Sequence, residues 1–151
     1  MASKTIIVGP WGGSGGSAWD DGSYTGIREI ELSYGDAIGT FNVSYDFNGT
    51  PFAGPKYPSK QFSSTTKIEL DFPKEFFVSV NGYTDLYPPL GVKRPVIRSL
   101  TFKTNQGRTF GPYGEEVGTP FNLPIENGLF VGFTGRTGYI LDAIGFHLAH
   151  N

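Results

Sequence analysis

Cysteine is absent from the 151-residue chain. This excludes disulfides, thiolate metal ligands and a cysteine nucleophile, leaves the fold to packing alone, and fits a reducing compartment. Neither charge sign dominates, with 12 Lys+Arg against 14 Asp+Glu. The charges are scattered rather than gathered into a basic stripe, which argues against a nucleic-acid partner. Long apolar runs are missing as well. Ile6, Ile7 and Val8 are followed at once by Gly9-Pro10, short of the ~7–15 apolar residues at the heart of a secretion signal. The expectation is a cytoplasmic protein without membrane insertion, in which the sequons Asn42-Val43-Ser44 and Asn48-Gly49-Thr50 go unused.

A helical period is also lacking, and 22 Gly and 11 Pro beside 13 Phe, 8 Tyr and 2 Trp suit many short strands. Period two is what the chain does show. Phe41, Val43, Tyr45 and Phe47 interleave with Asn42, Ser44, Asp46 and Asn48, which predicts a half-buried strand ended by Asn48-Gly49. The same reading predicts strands at 27–34, 67–72, 76–80, 97–104, 129–134 and 140–148, hence an all-β fold. The length accommodates one core, with residues 1–151 as a single domain. Sandwiches and barrels carry similar punctuation, so the pattern leaves the architecture open. Glycine-rich turns are expected at 11–16, 111–118 and 132–138, which permits a repeated sheet unit without requiring one.

Two constellations stand out. In Trp11-Gly12-Gly13-Ser14-Gly15-Gly16-Ser17-Ala18-Trp19, four glycines allow positive φ and bring amide N–H groups close to a ligand. An ordinary turn between strands is the plainer reading. The stretch also fits the G-x-S-x-G elbow and a dinucleotide G-x-G-x-x-A, but both need a helix directly afterwards. Trp19-Asp20-Asp21-Gly22-Ser23 instead reads as a turn leading to a strand. The second constellation is Gly135-Arg136-Thr137-Gly138-Tyr139-Ile140-Leu141-Asp142, where Asp142 shares strand parity with Ile144, Phe146 and Leu148. A carboxylate on that parity is partly desolvated and needs donors, from its own turn or from a ligand's hydroxyls. His147 and His150, three apart on a strand, point to opposite faces and read as surface groups. Asp20-Asp21 and Glu115-Glu116 read as solvated turns rather than as the facing carboxyls of a glycosidase. The segment 83–95, rich in proline and aromatics, reads as an ordered loop that walls a site or caps a sheet edge.

Three longer stretches carry a resemblance: Gly22-Ser23-Tyr24-Thr25-Gly26-Ile27-Arg28-Glu29-Ile30, Arg98-Ser99-Leu100-Thr101-Phe102-Lys103-Thr104-Asn105 and Phe121-Asn122-Leu123-Pro124-Ile125-Glu126-Asn127-Gly128-Leu129. Together with Gly111-Pro112-Tyr113-Gly114 and Leu141-Asp142-Ala143-Ile144-Gly145, they are similar to the jacalin-related plant lectins, and to the mannose-specific single-chain members in particular. The resemblance implies a β-prism I of three four-stranded antiparallel sheets about a pseudo-threefold axis. It implies a sugar site between the first glycine loop and a Gly-x-x-x-Asp loop, with Gly16, Gly138, Tyr139, Ile140 and Asp142 at the contact positions. Mannose, glucose and oligomannose glycans are the implied ligands, bound without turnover and without metal or cofactor. Galactose-preferring relatives are cut within the first loop, whereas this chain runs through it. Where some relatives have a second Gly-x-x-x-Asp loop, Gly35-Asp36-Ala37-Ile38-Gly39 lacks the final aspartate, which implies one site. A shallow hydroxyl-binding site is weak by itself, so a homodimer or homotetramer is expected to supply multivalency. A glycoside-processing enzyme using Asp142, and a β-domain that binds no sugar, stand as the alternatives.

Overall fold

The computed structural model describes residues 4–91 and 94–150. Twelve strands run through them: β1 (Thr5–Gly12), β2 (Ser17–Asp20), β3 (Gly26–Tyr34), β4 (Ile38–Phe47), β5 (Thr50–Ala53), β6 (Ser64–Glu69), β7 (Phe77–Leu86), β8 (Pro95–Thr104), β9 (Thr109–Gly114), β10 (Thr119–Pro124), β11 (Gly128–Thr137) and β12 (Leu141–His150). They form three four-stranded sheets in the orders β1-β12-β11-β2, β5-β4-β3-β6 and β10-β7-β8-β9, with every pairing antiparallel. The second and third sheets are Greek keys, in which the fourth strand returns beside the first. The first sheet repeats that order if its strands are counted β11, β12, β1, β2. Three equivalent hairpins, β3–β4, β7–β8 and β11–β12, follow from this repeat.

Each strand expected from alternation is present. The one expected at 67–72 lies at Ser64–Glu69, and the one at 76–80 continues to Leu86. The strands without a sequence signal, β1, β2, β5, β9 and β10, are all sheet edges. Edge strands here bury little on either face, as in the wholly exposed β5, so selection for alternating apolar residues is weak. For the same reason Gly111 and Gly114 lie inside edge strand β9 rather than in a turn. Gly132 and Gly135 lie inside β11, where a Cβ at Gly135 would stand 2.7 Å from the Trp19 ring.

The inner faces of the three sheets meet in one core that includes Ile30 and Leu32, Val80 and Phe102, and Phe133 and Phe146. Phe41, Val43 and Tyr45 point into it as expected, but Phe47 is 57% exposed and Asp46 is fully buried. The reason is the hairpin that follows. Asp46 accepts from Arg28 Nε and Nη2 at 3.0 and 2.7 Å and from the Gly49 amide at 2.9 Å, so it braces the Asn48-Gly49 turn. A second, smaller cluster of Ala37, Tyr87, Val96 and Ile140 joins the tips of the three hairpins.

Candidate functional site

Within β11–β12, Arg136 pairs with Ala143 and Thr137 with Leu141, which leaves Asp142 as the extra residue of a β-bulge. A bulge shifts the phase of a strand and redirects one side chain. Leu141 and Ile144, of opposite parity in sequence, therefore both lie in the core, and Asp142 leaves the alternation. The expected sharing of a face with Ile144, Phe146 and Leu148 is thus corrected: Asp142 turns to the β1–β2 loop. Its carbonyl accepts from the Gly13 amide at 2.9 Å. Oδ1 would be 2.7 Å from a Cβ at Gly15, and Oδ2 3.4 Å from one at Gly138. Gly16 has φ +65°, and a Cβ there would stand 2.6 Å from the Gly138 nitrogen. The carboxylate is thus held between residues 13–16 and 138–142, where side chains on the facing glycines would separate the loops.

Asp142 is 6% exposed, and its Oδ2 is buried with no hydrogen-bond donor among the described residues. Leaving such an acceptor unbonded costs about 1–3 kcal/mol, which a hydroxyl-bearing ligand would recover. Burial pushes the carboxyl above its usual pKa, while the backbone at Gly138 and the positive charges of Arg136 and Arg94 act against that rise. The Gly138 amide itself donates to Ile140 O at 3.1 Å.

The other expected residues converge here with different roles. Tyr139 is 54% exposed at the rim, whereas Ile140 is fully buried in the cluster that joins the hairpin tips. Ile140 thus anchors the loop from inside that cluster. Of the segment 83–95, residues up to Leu86 belong to β7 and Pro88–Leu90 form a 3-10 turn; Val92 and Lys93 lie outside the described residues. Pro95, the first residue of β8, brings its carbonyl against Gly13. In the equivalent β3–β4 hairpin, Asp36 is occupied by the Tyr87 hydroxyl at 2.8 Å. A Cβ at Gly39 would lie 2.7 Å from the Phe62 ring and 2.8 Å from Ser33 Oγ, so a carboxylate does not fit at the position matching Asp142.

Several further contacts hold the two loops. Arg136 Nε and Nη2 donate to the carbonyls of Gly15 and Gly16 at 3.0 and 2.9 Å. Trp19 stacks on Tyr57 at 4.5 Å and donates to Thr137 Oγ1 at 2.8 Å, fixing the entry to the second loop. The Lys60 amide donates to Tyr139 O at 2.7 Å, and its ammonium lies 5.8 Å from the Tyr139 ring centroid. Arg136 and Trp19 stand within the two sequence constellations, without the partners found here; Lys60 arrives through tertiary packing.

Other expectations are corrected. His147 is buried at 7% exposure, with Nε2 2.6 Å from Asp20 Oδ1, rather than a surface group. Asp21 is also buried, accepting from Tyr45 and Tyr57 hydroxyls at 2.6 and 2.5 Å, rather than lying in a solvated turn. The glycine loop leads to β2 and not to a helix, which removes the structural context both catalytic patterns need. Among the described residues, no group of three or more His, Cys, Asp or Glu could hold a metal ion.

Residues 8–147 match the family model described as the jacalin-like lectin domain. The chain is 69% identical to a mannose-binding lectin from champedak, with a TM-score of 0.94 and 99% of both chains covered. A mannose-specific jacalin-related lectin from Morus nigra, solved in complex with mannose, is 66% identical with a TM-score of 0.94, covering 98% of this chain and 96% of that one. A galactose-specific lectin from Morus indica is 53% identical over 152 residues, 97% of this chain and 94% of that protein.

Proposed function

Because the chain belongs to the jacalin-like lectin domain family, we propose that it binds mannose, glucose and oligomannose glycans, without altering them, between residues 13–16 and 138–142. The observation that carries this reading is the buried Asp142 carboxylate, its Oδ2 unbonded, packed against the glycines of the facing loop. An ionised carboxylate accepts from two neighbouring sugar hydroxyls, while the N–H groups of Gly16, Tyr139 and Ile140 donate to hydroxyl and ring oxygens. Gly138 supplies closeness between the loops instead of a contact atom of its own.

Mannose rather than galactose is supported by the continuous β1–β2 loop and by the higher identity to mannose-binding than to galactose-specific relatives. Titration calorimetry with mannose, glucose and galactose in EDTA tests ligand class and metal independence together. Preferential galactose binding, or full mannose binding by Asp142→Ala, overturns the reading.

Multivalency through a homodimer or homotetramer is part of the proposal. Ile6 and Ile7, 62% and 56% exposed, project from opposite faces of edge strand β1, whose open edge is apolar and free to pair with a second copy. Light scattering coupled to gel filtration gives the copy number, and a monomer refutes this part. A cytoplasmic location remains the proposal that the lack of cysteine supports. Asn48 sits exposed in the β4–β5 turn, so a glycan mass at Asn48 in protein from its source would contradict it.

A further inference from the structure

The two carbonyl contacts of Arg136 bear on a donor that the sugar site needs. The Gly15 carbonyl and the Gly16 N–H are two ends of one peptide unit, and in a planar trans peptide they point in opposite directions. Arg136 Nε holds the Gly15 carbonyl at 3.0 Å, and Nη2 holds the next carbonyl, Gly16 O, at 2.9 Å. With those carbonyls turned towards the guanidinium, the Gly16 N–H is directed away from it. The Gly16 nitrogen and Asp142 Oδ2 lie 3.6 and 3.4 Å from where a Gly138 Cβ would stand, so donor and acceptor flank one point. A stretch of glycines has the φ freedom to rotate this peptide, and only a planar fork restrains two successive carbonyls at once. A parallel contact exists in the second loop, where the Lys60 amide holds Tyr139 O at 2.7 Å and thereby orients the Ile140 N–H.

We infer that Arg136 is a positioning residue of the sugar site: its guanidinium fixes the Gly15–Gly16 peptide so that the Gly16 N–H faces Asp142 before sugar arrives. This rests on the assignment of Gly16 and Asp142 as sugar contacts. Arg136→Lys keeps the charge and removes the fork. Losing a pre-oriented donor should weaken methyl α-mannoside binding about tenfold, with a more unfavourable entropy. Because the charge is retained, the acid limb of the binding–pH profile should stay in place in Arg136→Lys, and should move to higher pH in Arg136→Gln.

In the unsubstituted protein, amide NMR during the same titration should move the Gly16 N–H strongly and the Arg136 Nε–H little, a readout that does not depend on any variant folding. Binding by Arg136→Lys within twofold of the parent overturns the inference, as does an Arg136 Nε–H that shifts as far as the Gly16 amide. Full binding by Asp142→Ala would instead remove the site assignment itself, so the two failures are distinguishable.

Discussion

Replacing Asp142 with Asn is nearly isosteric, removes the charge and converts one acceptor oxygen into a donor. Its effects on binding and on stability should have opposite signs. In the liganded state, charge-assisted hydrogen bonds contribute about 1.5–3 kcal/mol each. Two of them from one carboxylate amount to about 3–6 kcal/mol, so affinity should fall by more than about a hundredfold at ~1.4 kcal/mol per tenfold. In the free protein the carboxylate is buried, its Oδ2 lacks a donor among the described residues, and burial raises its pKa. An acid whose folded pKa is raised costs stability above that pKa, and the cost is relieved as pH falls through it. A neutral amide escapes this cost at pH 7. Scanning calorimetry of Asp142→Asn should therefore give a Tm equal to or above the parent's, by roughly 2–4 °C for each kcal/mol relieved in a domain of this size. Methyl α-mannoside should raise the parent's Tm by mass action and leave the variant's unchanged. Binding within about tenfold of the parent would refute the reasoning on the bond energies given above. So would a Tm lowered by more than about 5 °C, since the carboxylate would then be bracing its own hairpin.

Gly16→Ala forces a side chain into positive φ and against Gly138; titration calorimetry should show at least about a tenfold loss of mannose affinity, with a lowered Tm. Because binding needs ionised Asp142 and its folded pKa lies above 3.8, affinity should decline on acidification sooner than for an ordinary aspartate, as read by binding at stepped pH. Glu75, held down to about 2 chiefly by its hydrogen bonds with Arg108, contributes stability that is complete above its usual 4.5 and is lost as pH falls towards about 2. Glu75→Gln should flatten that limb of an acid-unfolding curve. Trp19 is bonded to Thr137 at the entry to the second loop, so mannose should change tryptophan fluorescence in the parent and not in Trp19→Phe.

Central strands were legible because their side chains enter the core. β4 buries Phe41, Val43 and Tyr45 between half-buried neighbours, so period two survives selection there, whereas β8 is buried along nearly all its length. The exposed edge strands lack that pressure, and all but β6 left no trace. The Asn48-Gly49 signal correctly marked the end of β4, yet the short, exposed β5 after it had no pattern of its own. Asp142 stood out in the sequence by strand parity, a reading that the pairing corrects. Strict alternation put it with Ile144, whereas the bulge releases it from that face, and a bulge is a property of pairing with β11, not of β12 alone.

By itself the amino-acid sequence determined an all-β chain without disulfides, and through its longer motifs a lectin family with two glycine loops and one aspartate. The residues of the proposed site could be read from it because backbone amides, a carboxylate and turn glycines are local features. Tertiary structure decided how they are used. It turned Ile140 into an anchor, gave Asp21 two tyrosine hydroxyls and His147 a carboxylate, and brought Arg136 across to the carbonyls of Gly15 and Gly16. Those relations join residues as much as 127 positions apart. Sheet closure sets them, and no local pattern in the chain encodes such distances.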